Sequence, residues 1–280
     1  MSNSATQSTE RLSDFLRTQP ALAIAVSGGV DSLTLAWVTH EVTSTACQIV
    51  HAVSPAVPPE ATKLVKQYAH RAGWDLTIIN ANEYDDPRYK NNPVNRCYYC
   101  KTNLYSRIKE VTGRLIASGT NTDDLGDYRP GLKAATQHAV IHPFVEVGID
   151  KQTIRKIATN FGLTEVATLP AQPCLASRVE TGIKINADDL RFINKMESML
   201  RAHLDNGDVR CRITAKGIKI EIEPRLLANT DQHQASALRA SIKQLASIYC
   251  QQEHRNFIGI HDYLRGSAFL NKPTIVIHPQ

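Results

Sequence analysis

Residues 21–42 read ALAIAVSGGVDSLTLAWVTHEV. The apolar run at 21–26 has the length of a buried strand, Gly28 and Gly29 end it, and Leu33, Leu35, Ala36 and Val38 then line one face of a helix. Strand, glycine turn and helix in that order open a parallel sheet covered by helices. The two glycines let backbone N–H groups approach a phosphate at the helix N-terminus, and Ser27 and Ser32 add hydroxyl donors. The loop has neither the Walker spacing nor the G-x-G-x-x-G of dinucleotide folds, so it is a different phosphate cradle, or else a plain turn. Asp31 is out of place in an anion site unless it holds magnesium or water on the phosphate, which fits ATP bound with a hard cation.

Outward from this unit the alternation continues. CQIVHAV at 47–53 is strand-like, the pattern at 60–72 is helical and stopped by Gly73, and LTII at 76–79 makes a third strand. Residues 82–96 are polar, broken by Pro87 and Pro93, and read as a long loop that delivers Cys97 and Cys100 to the start of another helix. LIASG at 115–119 is the fourth strand and runs through Gly119 into the acidic stretch NTDDLGDYRPG at 121–131. Ligands of open α/β sheets bind at that edge. A helix over 150–162, capped by Asp150 and stopped by Gly162, precedes a second loop that presents Cys174.

After Gly182 the order becomes α-β-β-α-β, which predicts a small antiparallel α+β domain at 183–280 beside an α/β domain at 1–182. The 280 residues, 42% hydrophobic and 21% charged, are ample for two packed cores and exclude a disordered chain. No run is long enough for a membrane span, and the first ten residues lack the pattern of a secretory signal. Six cysteines without an export signal point to a reducing, cytoplasmic setting. The net charge of +5 favours anionic ligands in general. Residues 183–280 carry no dense basic run, which speaks against a nucleic-acid partner.

Cys97 and Cys100 are spaced C-x-x-C, so both sulfurs can face one metal. With Cys174 they make three thiolates with an open fourth position, which suits a catalytic zinc or a [4Fe-4S] cluster with one iron free. A redox dithiol of Cys97 and Cys100 alone is the alternative. Cys47, Cys211 and Cys250 form no spaced pair and read as structural. His138 and His142 read as loop histidines. Arg210 and Arg212 alternate on a strand and share a face, a plausible phosphate clamp or a merely basic surface.

The segments SGGVDS, RCYYCKTNLY, GTNTDDLGDYRPGLKAA, HPFVEVGIDKQTIRKIA and QPCLASR together resemble one family. It is that of the ATP-dependent sulfur transferases that mature the nickel-pincer nucleotide cofactor of lactate racemase, within the pyrophosphate-loop (PP-loop) superfamily. The resemblance runs from about residue 20 to 225. It implies that Ser27, Gly28, Gly29, Asp31 and Ser32 bind ATP's phosphates, and that Ala25, His51 and Val53 lie near adenine. It further implies that Gly119, Asp123, Asp124, Asp127 and Arg129 border the nucleotide and its Mg2+, that Ser177 and Arg178 line the same cavity, and that Arg210 and Arg212, with Glu223 on the next strand, receive a substrate phosphate. Cys97, Cys100 and Cys174 match the branch whose three cysteines hold a [4Fe-4S] cluster.

The implied reaction adenylates an acceptor carboxylate, with Asp31 and the three cysteines in catalytic roles, and replaces AMP by sulfur. The implied partners are a nucleotide-like small-molecule acceptor, a sulfide or persulfide donor and further copies of the chain. Residues 260–271, IHDYLRGSAFLN, depart from the family's spacing around His261 and Arg265, which bears on the acceptor's identity. Two other functions fit the same motifs: a cluster-dependent thiolase of transfer RNA, and a regulator that binds nucleotide without turnover.

Overall fold

The computed structural model describes residues 3–42, 47–126, 130–170, 173–204, 209–224 and 232–263. The chain divides into two compact units, one of Met1–Tyr89 with Asn95–Gln172 and one of Lys90–Val94 with Pro173–Gln280.

The first unit begins with α1 (Asn3–Arg17), then β1 (Leu22–Ala25), α2 (Val30–Val42), β2 (Gln48–Val53), α3 (Pro59–Ala72) and β3 (Leu76–Asn80). The short α4 (Pro87–Lys90) leads to α5 (Arg96–Thr112), β4 (Leu115–Ser118), α6 (Pro130–Gln137), α7 (Pro143–Glu146), α8 (Lys151–Asn160) and α9 (Thr164–Thr168). The strands lie in the order β3-β2-β1-β4, all parallel. Side chains alternate across them as the pleat requires. Leu22 and Ile24 enter a core with Leu12 and Leu16 of α1, Leu33 and Leu35 of α2, Val65 of α3 and Ile154 and Ile157 of α8. Ala23, Val50 and Ile116 meet Tyr105 and Ile108 of α5 and Ala134 and Ala135 of α6 in a second core. The sheet is thus covered on both faces, the three-layer α/β arrangement that the alternating sequence predicts.

Local chemistry sets the helix ends. Pro59 opens α3, and Gly73, at φ 64°, closes it by donating its N–H to Ala69 O. Asp150 caps α8 by accepting from Thr153 N at 2.7 Å. The 82–96 segment is more ordered than a loop: a 3-10 turn over Glu83–Asp85 and α4 fill its first half.

The second unit holds α10 (Ala187–His203), β5 (Val209–Thr214), β6 (Gly217–Ile222), α11 (Gln232–Gln252) and β7 (Phe257–Asp262). β5 and β6 form an antiparallel hairpin, but β7 pairs with β6 in parallel. The sheet is therefore mixed rather than antiparallel. The reason is α11, a crossover that returns the chain to the end from which β6 started, as parallel neighbours require.

Candidate active site

In the first unit the strand order turns back between β1 and β4, and the loops leaving their carboxyl ends flank the crevice where such sheets take ligands. Gly28 has φ 90°, and a Cβ there would stand 2.9 Å from Ala61 O on α3, so only glycine lets the loop lie this close. Gly119, just after β4, is as tightly required, because its Cβ would stand 2.8 Å from the Asp31 carbonyl carbon and Ser32 N. The two loops therefore touch backbone to backbone. Ser32 Oγ accepts from Ser27 N at 3.1 Å and donates to Gly29 O at 3.1 Å, closing the turn at the start of α2. The first N–H groups of α2 point out of this turn, an arrangement that can hold phosphate oxygens.

Asp31 is the charged centre of the turn. Its Oδ2 is ion-paired with Lys151 Nζ, while its Oδ1 is buried with no hydrogen-bond partner among the described residues. Burial pushes its carboxyl above the ordinary range, and Lys151 pulls only partly the other way. An orphaned, hard carboxylate oxygen beside a phosphate-type cradle fits Mg2+ or a water bound to it. Asp123 Oδ2 accepts from Lys151 N at 3.2 Å, and Asp124 Oδ2 from Asn121 N at 3.1 Å, so the acidic turn after β4 folds back on the start of α8. Asp127 and Arg129 lie outside the described residues.

Ala25 and Val53 are half-buried at the ends of β1 and β2. His51 is not open to a base: it is completely buried, with Nδ1 2.8 Å from Val26 O and Nε2 2.9 Å from Thr62 Oγ1. Burial lowers its pKa, and the neutral ring braces the loop against α3.

At this edge sequence reasoning passed over Lys151 and read His142 only as a loop histidine. Lys151 occupies the first turn of α8, where the helix dipole disfavours a cation, and that oddity is the signal that it serves something outside its helix. His142 follows Ile141, which pairs in parallel with Ala117 of β4, and its Nδ1 lies 2.9 Å from Ser118 Oγ. Ser118 Oγ also lies 3.1 Å from Thr120 Oγ1. Burial holds the His142 pKa down, against the pull of Glu146.

All six cysteines are among the described residues, and none is disulfide-bonded. Cys97 and Cys100 sit three residues apart in the first turns of α5, on one helical face and half-buried. The tyrosines between them are engaged sideways: Tyr98 Oη donates to Gln137 Oε1 at 2.7 Å, and Tyr99 packs edge-on against Tyr98 beneath Arg88. Two thiols on one face fit a soft metal group. Among the described residues, no three His, Cys, Asp or Glu side chains are gathered as a formed metal site. Cys211 and Cys250 are buried in the second unit, and burial pushes both thiols up, Cys250 to about 11, as suits structural thiols.

In the second unit Cys174 is exposed at the head of a 3-10 turn, Leu175–Arg178. Arg178 does not line an open cavity. It is 3% exposed, and its guanidinium is spent on Glu197, Pro173 O and Ser177 Oγ. Arg210 and Arg212 do share a face of β5. Arg210 lies under the Tyr263 ring, and Arg212 donates to Glu221 Oε2 at 2.6 Å and to Ser177 O at 3.0 Å. Glu221 also takes Lys219 at 2.7 Å, and these partners hold its carboxyl below the ordinary range despite burial. Glu223 lies just past the end of β6, half-buried. His261 is opposite Glu221 on β7, and Arg265 is outside the described residues.

A parallel sheet with a glycine phosphate loop at its switch point, followed by a separate mixed-sheet unit, defines the class: an α/β protein of the PP-loop kind. No protein-family model matches the chain. It is 35% identical over 219 residues to an uncharacterized protein of Synechocystis sp., a match covering 77% of this chain and 81% of that one, and it belongs to that protein's family. At 27% over 206 residues it is similar to the pyridinium-3,5-bisthiocarboxylic acid mononucleotide synthase of Lactiplantibacillus plantarum, over 72% of this chain and 74% of that enzyme. At 27% over 193 residues it is similar to a Methanosarcina acetivorans protein named "Probable tRNA sulfurtransferase", over 62% of this chain and 45% of that one. One of these two names is that of a bisthiocarboxylic acid synthase and the other that of a probable sulfurtransferase. Among the described residues no helix is long and apolar enough to cross a membrane.

Proposed function

We propose that the protein is an ATP-dependent sulfurtransferase that converts an acceptor carboxylate to a thiocarboxylate. The observation that carries this reading is Asp31: a carboxylate oxygen buried without a partner among the described residues, inside a glycine turn at the sheet's switch point. The names of two relatives, a bisthiocarboxylic acid mononucleotide synthase and a probable tRNA sulfurtransferase, support the second half of the reaction.

In the first step an acceptor carboxylate oxygen attacks the α-phosphorus of ATP, and the bond to the bridging oxygen of the β-phosphate breaks, releasing pyrophosphate. The N–H groups at the start of α2, with Ser27, Gly28, Gly29 and Ser32, bind the phosphates and stabilise the charge that moves onto the leaving pyrophosphate. Asp31, with Asp123 and Asp124, would hold Mg2+ on those phosphates, and the ammonium of Lys151 supplies a further positive charge within reach. In the second step a sulfur nucleophile attacks the acyl carbon of the adenylate, the bond to the AMP oxygen breaks, and AMP leaves with its electron pair. The thiolates of Cys97, Cys100 and Cys174 would hold a [4Fe-4S] cluster, which when bound supplies a soft sulfur nucleophile that water cannot match. A sulfide donor outside the chain renews that sulfur, or a persulfide donor together with a thiol reductant that supplies the two electrons needed to release its outer sulfur as sulfide, and the acceptor is a nucleotide-like carboxylate whose phosphate meets the Arg210 and Arg212 face. The working enzyme is an oligomer of this chain in a reducing compartment.

The test is quantification of AMP and pyrophosphate with pyridinium-3,5-biscarboxylic acid mononucleotide or bulk tRNA as acceptor. AMP formation with the mononucleotide, reduced by about 10²-fold in Asp31→Asn, is the expected result. AMP formed with tRNA alone, together with tight and salt-sensitive RNA binding, would move the assignment to the tRNA thiolases. ATP binding without AMP from either acceptor would leave a regulator.

A further inference from the structure

The turn that carries Cys174 is tied from within by a buried side chain. Arg178 Nε and Nη2 donate to the two oxygens of Glu197 at 2.9 and 3.0 Å, and Nη1 turns the other way, to Pro173 O at 2.7 Å and Ser177 Oγ at 2.9 Å. Cys174 O is within 3.4 Å of the same nitrogen and also accepts from Ser177 N at 2.9 Å. Glu197 is completely buried on α10, and its carboxylate is saturated: Oε1 also accepts from Cys211 N of β5 at 3.0 Å and Oε2 from Arg201 at 2.5 Å. A third tie comes from outside the turn, where Arg212 Nη1 donates to Ser177 O at 3.0 Å.

Such a pair is a poor device for stability. Desolvating both ions costs about as much as their attraction returns, and apolar replacements are often neutral or better. What a fixed planar fork offers instead is direction, since its two edges lock one carboxylate and one stretch of backbone in a single plane. Here that stretch is the backbone on either side of an exposed thiol.

We propose that Arg178, held by Glu197, is a positioning residue that sets the direction in which the Cys174 thiol leaves the second unit. Arg212, paired with Glu221, belongs to the same network, so β5 and the thiol's turn share one scaffold. This deepens the reading of Cys174 as a working thiol and rests on it, but the test below does not need turnover.

The test uses the full chain as purified, before any iron or sulfide is added. Iodoacetamide labelling of Cys174 is timed by peptide mass spectrometry, with Cys97 and Cys100 as internal references, in the wild type, in Arg178→Lys and in the double variant Arg178→Met with Glu197→Gln. The double variant removes both charges but keeps an acceptor for Cys211 N. It should stay folded and label Cys174 at a rate changed by about fivefold or more, with the reference rates unmoved, because the turn has lost its tether. Arg178→Lys, which keeps the charge but not the fork, should shift the rate in the same direction. A folded double variant with the wild-type Cys174 rate would overturn the proposal. So would a double variant that cannot fold, since the pair would then hold the fold and not the turn. Absence of AMP formation in the wild type would defeat the proposed function and leave the labelling result standing.

Discussion

At position 28 two demands meet: a φ of 90°, which side chains rarely adopt, and an Ala61 carbonyl 2.9 Å from where a Cβ would stand. Gly28→Ala is therefore expected to lower unfolding free energy by about 1–3 kcal/mol in urea titrations and to weaken ATP-dependent stabilisation in the same protein. Asp31 gives the opposite sign. Burial raises its folded-state pKa, so the cost of its ionised form is absent in acid and present in full at neutral pH. Asp31→Asn should thus melt above the wild type at pH 7, with the advantage shrinking as pH falls toward the ordinary aspartate value of 3.8, while losing any shift in melting temperature given by MgATP. A difference that does not change with pH would contradict this account. Such residues are unequally visible in the sequence. Gly28, Gly29 and Asp31 stand out because backbone crowding and a charge in an anion turn leave local marks. Lys151 is 120 residues from its partner Asp31, and no periodicity records a pairing over that distance. For Arg178 the resemblance implies a cavity-lining role, and only the buried Glu197, 19 residues on, reveals where its charge is spent.

The element that matters most to the cysteines is α5, and its approach is fastened by Asp86. That carboxylate accepts from Arg88 N, Nε and Nη2 at 2.9–3.0 Å and from Asn103 of α5 at 3.0 Å, and these bonds, Arg88 first, hold its pKa down to about 2. A depressed folded-state value means stability that is present above 3.8 and lost as pH falls toward 2. Asp86→Asn should cost about 1–2 kcal/mol at pH 7 and much less near pH 2, measured by urea unfolding at both values. The strands and helices of the parallel sheet were legible because burial on two faces leaves near-continuous apolar strands between amphipathic helices. The direction of β7 was not, since it depends on α11 being a crossover and not on any pattern within β7. The amphipathic α1 was overlooked although Leu12 and Leu16, one turn apart and buried, carry its signal.

At the scale of the whole molecule, the chain enters the second unit early, at Lys90–Val94, before returning to the first at Asn95. Asn92 is the peg: fully buried at φ 52°, its Nδ2 donates to Glu180 O at 2.9 Å and Ile183 O at 3.0 Å, and its own carbonyl accepts from Gly182 N at 2.9 Å. Asn92→Ala should cost about 2–3 kcal/mol, with hydrogen exchange accelerated in β5 and β6 and the parallel sheet protected as before. Nothing in the 82–96 sequence marks this excursion, because its partners lie some 90 residues downstream. The proposed reaction requires ATP at the glycine turn and sulfur held by Cys97, Cys100 and Cys174. Its most direct measurement is iron and acid-labile sulfide content after anaerobic reconstitution, in the wild type and in Cys97→Ser, Cys100→Ser and Cys174→Ser, read beside acceptor-dependent AMP release and thiocarboxylate formation. The account predicts roughly four irons per chain in the wild type and loss of both the iron and the thiocarboxylate in each variant. A wild type that takes up no iron, or a Cys174→Ser variant that still makes thiocarboxylate at the wild-type rate, would contradict it.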